Sequence, residues 1–231
     1  SSNASTQLLD GMHYRGLLRV ARRDGGVRLY AARESHAPAS DPAAALDTLV
    51  DAVVQKYAPL PERTLSELVH HLRYGAPQWA DGRRDALARA KQRLPSAQVE
   101  GVRWYWPAGE NPASLRHAVP ERVRLLAPFD PVVWDRRRFE AFWGWAYRFE
   151  AYTPAPQRVR GYYALPLLWR DQVIGWGNLA LEPAGRLRAE LGYVQGRAPR
   201  EHAFRTALDE ELARVEAFLT RRAAAAGPAP C

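Results

Sequence analysis

Residues 41–110 carry three helical patterns followed by one hairpin pattern, and this order restricts the fold more than any other feature of the chain. Apolar residues recur at helical spacing over residues 43–57, which predicts a first helix. Two further helices are predicted over residues 64–74 and 82–94, and Gly101 marks the turn of the hairpin that follows. This order is typical of a winged helix-turn-helix domain, a fold used mostly for DNA binding.

The third of these helices carries much of the basic charge of the domain on its outward face. The residues concerned are Arg83, Arg84, Arg89, Lys91 and Arg93. In a winged helix this is the helix that enters a DNA groove, so Arg83 and Arg84 are predicted to contact DNA. Some winged helices serve instead as adaptors between proteins, and that alternative stays open.

The second helix has Thr64 at its start and Glu67 three residues later, which predicts a capping box. His70 and His71 lie in the middle of the same helix, without a partner at metal-ligand spacing. They are therefore assigned to the surface or to packing. No metal site is predicted in this chain.

Residues 1–35 indicate the second half of another winged helix. A helical pattern that ends at Gly16 is followed by strand patterns over residues 17–23 and 26–32. A short helix and an isolated hairpin bury too little apolar surface to be stable alone. We therefore expect the natural protein to extend upstream of Ser1.

Residues 120–222 are rich in strand patterns and predict an antiparallel sheet. The predicted strands lie near residues 122–127, 146–152, 160–169, 172–181 and 186–194, with a helix near 135–144 and a closing helix over 200–222. The predicted fold class is therefore α+β, with tandem winged helix-turn-helix units followed by an antiparallel β-rich domain and a C-terminal helix. The Ala- and Pro-rich tail over residues 223–231 is predicted to be disordered.

The charge of the chain favours a polyanionic partner. Its 231 residues include 33 basic and 25 acidic ones, which gives a formal net charge of +8, and the excess is nearly all arginine, whose planar fork suits phosphate. An arginine-rich genome would give the same composition without any function. The only cysteine is Cys231, so no disulfide framework is available, and no apolar run reaches the roughly 18 residues that span a bilayer. We expect a cytoplasmic protein without a membrane partner.

Aromatic residues, arginines and prolines are crowded together over residues 125–175, "LLAPFDPVVWDRRRFEAFWGWAYRFEAYTPAPQRVRGYYALPLLWRDQVIG". This stretch resembles the crosslink-repair DNA glycosylases of the YcaQ/AlkZ type. The matching positions are Leu126, Pro128, Phe129, Asp130, Trp134, Asp135, Arg136, Arg137, Tyr152, Pro154, Pro156, Arg158, Gly161, Tyr162, Tyr163, Leu165 and Pro166. The opening "LLDGMHYRGLLRVARR" is also similar, so the resemblance covers residues 5–220.

The resemblance implies tandem winged helices that grip damaged double-stranded DNA and hydrolyse the N-glycosidic bond of bulky N7-alkylated purines, including interstrand crosslinks. An N7-alkylated base is already cationic and leaves readily, so such an enzyme must stabilise an oxocarbenium-like sugar and position a water molecule. In the family a Gln-x-Gln or Gln-x-Asp motif does this work. Neither motif occurs in this chain, so it departs from the family there. No catalytic residue and no cofactor are predicted, and the catalytic segment is expected upstream.

Four arginines and two tyrosines of the stretch are predicted to contact DNA. They are Arg136, Arg137, Arg158, Arg160, Tyr162 and Tyr163. The arginines would meet phosphates, and a tyrosine would touch a sugar or stack on a base. Both tyrosines lie in the strand predicted over 160–169, so alternation lets only one of them face DNA and places the other in the core. For the arginines at 136–138 the alternative is a solvated helix face paired with Asp135 or Glu140.

Two structural roles are also expected in this stretch. Trp134, Trp143 and Trp145 are assigned to the core rather than to stacking on a ligand. Asp130 is expected to act as a helix cap rather than as a catalytic group.

Three functions are compatible with these patterns. The first is the DNA-binding portion of a repair glycosylase, acting as a monomer on nucleoid DNA. The second is a non-catalytic winged-helix regulator, and the third is a protein-interaction module whose arginines only reflect genome composition.

Overall fold

A computed structural model describes residues 3–34, 41–183 and 185–226 of the chain. The protein combines helices with antiparallel sheets, which confirms the predicted α+β class. It divides into two compact units. One comprises residues 1–55 and 62–108, and the other comprises residues 56–61 and 109–231.

The chain begins with the predicted helix and hairpin. Helix α1 (Ala4–Tyr14) is followed by strands β1 (Leu18–Asp24) and β2 (Val27–Ala32), which pair antiparallel. Gly25 and Gly26 form the turn with φ angles of 53° and 85°, values that glycine adopts without steric cost. The hairpin is therefore fixed by its local sequence.

Helix α1 is tied to strand β2 by one acidic side chain. Asp10 Oδ1 accepts hydrogen bonds from Arg28 Nη1 at 2.8 Å and from the Tyr30 hydroxyl at 2.9 Å. At the other end of the helix, Asn3 Oδ1 accepts from the Thr6 backbone N–H at 2.8 Å, which satisfies one of the free donors of the first turn.

The next elements follow the predicted order of three helices and a hairpin. They are α2 (Pro42–Tyr57), a short strand β3 (Leu60–Pro61), α3 (Glu62–Gly75), a 3₁₀ helix (Pro77–Gly82), α4 (Arg83–Arg93), β4 (Ser96–Val99) and β5 (Val102–Tyr105). Strands β4 and β5 pair antiparallel. The buried apolar residues on the helices are Leu46, Val50, Val54, Leu65, Leu68, Val69, Ala86 and Ala90. Their spacing of three or four residues is the reason that these segments are helical. The assignment to the winged-helix family stays a prediction.

The start of α3 differs from the prediction. The helix begins at Glu62, so Thr64 lies within its first turn and is only 6% exposed. Thr64 is therefore not the cap of a capping box. An acidic residue at the first position is favourable because the helix dipole is positive there.

The second unit is built on a four-stranded antiparallel sheet. Its elements are β6 (Val123–Leu125), α5 (Pro131–Trp134), α6 (Arg136–Trp143), a 3₁₀ helix (Ala155–Gln157), β7 (Leu165–Trp169), β8 (Gln172–Leu181), β9 (Leu187–Tyr193) and α7 (His202–Ala226). The strands follow one another in the order β6-β7-β8-β9. Strand β9 is thus an edge strand.

Two apolar clusters pack against this sheet. One joins helix α7 to the sheet and contains Val123, Leu167, Trp169, Phe204 and Ala207. The other contains Val133, Phe139, Trp145, Tyr147 and Val173, with Leu168 packed against it. Because Leu167 and Leu168 are consecutive in β7, their side chains point to opposite faces of the sheet. The clusters therefore cover both faces.

The predicted strand over residues 146–152 is wrong, although burial alternates over its first three residues. The segment pairs with no strand. Its buried aromatic residues hold it through polar atoms instead, since the Tyr147 hydroxyl donates to the Ala164 carbonyl at 2.7 Å and Trp145 Nε1 donates to the Val173 carbonyl at 2.8 Å. Trp145 is 9% exposed, which confirms its assignment to the core.

Two predicted boundaries also change. The strand expected over 160–169 begins only at Leu165, because residues 161–164 form a turn. Helix α7 continues to Ala226, four residues beyond its predicted end, and residues 227–231 of the predicted tail lie outside the described residues. Within the described parts of the chain, no helix is long and apolar enough to cross a membrane.

Candidate nucleic-acid interface

The loop between α6 and β7 contains the prolines, arginines and tyrosines of the distinctive stretch. One of its arginines closes the loop on itself, since Arg158 Nε donates to the Thr153 carbonyl at 2.8 Å. The Arg158 guanidinium also lies over the Tyr162 ring, 4.9 Å from its centroid, a cation–π contact. The side chain of Arg158 is half-buried.

Both tyrosines of the loop are exposed, Tyr162 by 59% and Tyr163 by 47%. The expectation that one of them is in the core is therefore wrong. Its physical reason is the turn at residues 161–164, which removes the strand alternation on which the expectation rested. Both rings are available to a partner.

A buried carboxylate fixes the backbone of the loop. Glu150 is 5% exposed, and its Oε2 accepts from the backbone N–H of Arg160 at 2.8 Å and of Gly161 at 3.2 Å. Burial alone would raise the pKa of Glu150, but the backbone N–H groups of Arg160, Val159 and Gly161 and the Arg160 charge outweigh it and lower that pKa. Glu150 is thus an ionised anchor at neutral pH.

Arg160 connects the loop to the sheet. Its guanidinium lies over two neighbouring indoles, 5.1 Å from the Trp145 centroid and 5.3 Å from the Trp176 centroid. Its carbonyl accepts from Asn178 Nδ2 at 2.7 Å. The predicted phosphate contact stays a prediction, but this side chain is already engaged inside the protein.

Two glycines make this arrangement possible. Gly161 has a φ of +120°, and a Cβ added there would lie 2.5 Å from Asn178 Oδ1. Gly192 stands opposite Trp176 in the register of β8 and β9, and a Cβ at Gly192 would overlap the Trp176 indole. Close approach therefore requires glycine at both positions.

Three consecutive arginines in α6 have different surroundings. Arg136 donates to the Val133 carbonyl at 2.7 Å and to the Pro128 carbonyl at 3.0 Å, and its guanidinium lies 4.5 Å from the centroid of the Tyr147 ring. Arg138 is 2% exposed and donates to the carbonyls of Tyr57 and Pro131. Burial lowers the pKa of both guanidinium groups.

Arg137 alone of the three faces solvent. Its side chain is exposed and pairs with no described residue. The alternative of a solvated arginine face paired with Asp135 or Glu140 is wrong for the other two arginines, because they bind backbone carbonyls. Asp135 caps the helix by accepting from the backbone N–H groups of Arg137 and Arg138 at 3.1 and 3.2 Å, as Asp130 caps α5 through the Val132 N–H at 2.9 Å.

Four aromatic side chains of this unit meet in an arrangement that the sequence did not reveal. We call Phe129, Phe149, Tyr152 and Tyr163 the aromatic cluster. The Phe149 ring centroid lies 5.4 Å from that of Phe129, 6.2 Å from that of Tyr152 and 5.0 Å from that of Tyr163. The only sequence signal was the density of aromatic residues, since the members are up to 34 positions apart.

In the first unit, most of the basic face predicted for α4 is neutralised. Arg89 Nη2 lies 2.8 Å from Asp47 Oδ1, Lys91 Nζ lies 2.6 Å from Glu62 Oε1, and Arg93 Nη2 lies 2.6 Å from Asp51 Oδ1. Hydrogen bonds from Arg89 and Lys91 lower the pKa values of Asp47 and Glu62. Three of the five basic residues assigned to the outward face of this helix are therefore already paired with carboxylates of the same unit.

The uncompensated charge of this helix lies at its start. Arg84 is exposed and pairs with no described residue, while Arg83 is half-buried. Arg73 chiefly, with further effects of burial, Arg83 and His71, lowers the pKa of His70. The end of α3 and the start of α4 thus share one positively charged region. His70 and His71 are both exposed, and no three potential metal ligands converge in residues 3–34, 41–183 and 185–226.

The comparison with known proteins agrees with the interface chemistry. A family model described as "DNA glycosylase AlkZ-like" matches residues 1–218. No solved structure matches the chain. Because the family model covers nearly the whole sequence, the chain belongs to the AlkZ-like DNA glycosylase family, and its role is in DNA repair.

Proposed function

We propose that this chain is the DNA-binding portion of a glycosylase that removes bulky N7-alkylated purines or unhooks interstrand crosslinks by hydrolysis of the N-glycosidic bond. The loop over residues 151–164 is the observation that carries the proposal. It holds exposed Tyr162 and Tyr163 beside Arg158, on a backbone fixed by the ionised Glu150. A fixed loop with exposed rings and a cation suits a damaged duplex, whose bulky base resists complete flipping into a closed pocket.

The direct phosphate contacts fall first on the arginines that the protein does not already use. Arg84 and Arg137 are exposed and pair with no described residue. Arg158 comes second, because its Nε already donates to the Thr153 carbonyl and its guanidinium lies over the Tyr162 ring. Arg83 adds charge beside Arg84. Arg136 mainly stabilises helix α6 and Arg160 mainly stabilises the loop, because both guanidinium groups already make contacts within the protein.

The chemistry of the lesion explains how a chain without the family's glutamine motif takes part. An N7-alkylated purine is cationic, so its departure needs no general acid, and what remains is to stabilise the sugar cation and to deliver water. This chain binds the duplex around the lesion. We propose that it does so as a monomer on chromosomal double-stranded DNA, without a cofactor.

Base release and binding, measured on the same oligonucleotides, test the proposal. The chain is incubated with a duplex that carries one bulky N7-alkylguanine and with the undamaged duplex. We expect binding of both duplexes that weakens with salt, tighter binding of the damaged one, and no base release. Binding that does not depend on salt would refute the assignment to DNA and favour a protein-interaction module. Equal affinity for both duplexes would favour a regulator.

A further inference from the structure

We infer that the aromatic cluster is a stacking site for a nucleobase that has lost its pairing partner. This inference deepens the proposed function and rests on it. It names the form of DNA that the interface selects, and it assigns a role to Phe129, Phe149 and Tyr152, none of which sequence analysis placed among the DNA contacts.

The cluster exposes more aromatic surface than folding requires. Tyr152 is 91% exposed, Phe129 63% and Tyr163 47%. Burial of a phenylalanine side chain is worth about 1.5–3 kcal/mol, and the fold forgoes much of this at Phe129. Contiguous exposed apolar surface of this kind marks a binding site more often than an accident of folding.

The geometry leaves ring faces available to a flat ligand. Phe149 meets Phe129 at an interplanar angle of 70°, Tyr152 at 85° and Tyr163 at 89°. These are edge-to-face contacts. No pair within the cluster is stacked face to face, so a planar base can stack on an exposed ring without displacing another.

The cluster is also held in place before any ligand arrives. Asp130, next to Phe129, caps α5. Glu150, next to Phe149, binds the backbone of Arg160 and Gly161 and so fixes the turn that carries Tyr163. A preformed site spends less free energy on ordering side chains at binding.

The surrounding charge selects a polyanion over a neutral aromatic ligand. Arg158 lies over Tyr162, the residue before Tyr163. The loop over residues 151–164, which carries Tyr152, Tyr162 and Tyr163, contains two arginines and no acidic residue. A polyanion with flat aromatic groups is a nucleic acid. In an intact duplex each base face is covered by its neighbours, so only an unpaired or unstacked base can use the cluster.

The test compares two duplexes of equal charge. One is fully paired and contains 2-aminopurine, and the other contains the same 2-aminopurine without a partner base. Affinity is measured by anisotropy, and stacking is measured by the quenching of 2-aminopurine fluorescence. We expect tighter binding and stronger quenching with the unpaired base.

The variants F129L and Y152L, combined in one chain, should weaken binding of the unpaired duplex by about 5- to 150-fold, the loss expected for one stacked base at about 1–3 kcal/mol. Binding of the fully paired duplex should change by less than about twofold, because the phosphate contacts remain. Y152F keeps the ring and should bind as the unchanged chain does. F218L is the matched control, since Phe218 is an exposed aromatic residue (54%) on α7, outside the proposed DNA contacts.

The outcomes separate the two proposals. If salt-dependent DNA binding persists but the double variant loses affinity equally for both duplexes, or for neither, the stacking site is refuted and the proposed function stands. If neither duplex is bound in a salt-dependent way, both proposals fail. Circular dichroism of the double variant establishes that it is folded, as expected for two side chains so exposed.

Discussion

Arg136 and Arg137 are neighbours with the same side chain, yet replacement by alanine should affect two different properties. R137A removes a cation that pairs with no described residue. If it meets one phosphate, the slope of log affinity against log salt should fall in magnitude by about 0.9. At 0.1 M salt, that corresponds to a loss of affinity of about eightfold. The free energy of unfolding should hardly change.

R136A removes a half-buried cation that donates to the carbonyls of Val133 and Pro128. Hydrogen bonds from a charged donor contribute about 1.5–3 kcal/mol each. After a discount for partial exposure to solvent, we expect R136A to lower the free energy of unfolding by about 2–3 kcal/mol. The salt slope of the folded variant should not change.

Urea unfolding followed by tryptophan fluorescence gives the stability, and anisotropy titrations over a series of salt concentrations give the slope. R136A is titrated well below its unfolding midpoint, so that the folded protein is measured. The reasoning is refuted if the two variants change the same property by the same amount. It is refuted in particular if R136A reduces the slope and leaves stability intact.

Three further predictions concern the loop and helix α4. G161A should destabilise the protein by more than G196A does, because both positions have positive φ but only Gly161 would clash with a neighbour; strain at positive φ alone costs about 1–3 kcal/mol, and urea unfolding measures the difference. The folded pKa of Glu150 lies below its ordinary value of 4.5, so its contribution to stability is present above pH 4.5 and is lost as the pH falls through the lower folded value. Unfolding measured as a function of pH should show the gap between the unchanged chain and E150Q closing below pH 4.5, and a gap that is constant with pH would contradict the ionised anchor. R84Q should reduce the salt slope of DNA binding whereas R89Q should not, since Arg89 is already paired within the unit, and equal slopes for the two variants would argue against this assignment.

Features set by nearby residues could be predicted from the sequence. The hairpin between β1 and β2 depends on the adjacent glycines at 25 and 26, and the caps of α5 and α6 depend on Asp130 and Asp135, each next to the helix that it caps. In such cases the chain neighbours supply the whole physical reason. The α+β class was predictable for the same reason, because apolar periodicity reports element type directly.

Features set by distant residues could not be predicted. Aromatic residues alternate with other residues over positions 145–149, and Trp145 and Tyr147 are buried as that alternation predicts, but it carries no information on whether the backbone finds a pairing partner. Likewise, Arg89 and Arg84 are equivalent in sequence, and only the position of Asp47 on α2 makes one of them paired. The aromatic cluster depends on contacts between segments far apart in the chain.

The loop also depends on a glycine that lies outside it and has no side chain to offer a ligand. Gly192 lies on the edge strand β9, and its missing side chain lets the Trp176 indole rest on that strand. Trp176 in turn flanks Arg160, whose carbonyl and N–H are both held within the protein. A larger residue at position 192 would displace the Trp176 indole and, with it, Arg160 and the loop backbone around it. A survey of inactivating variants would therefore count Gly192 among loop positions, although it lies on strand β9, 28 residues after the end of the loop.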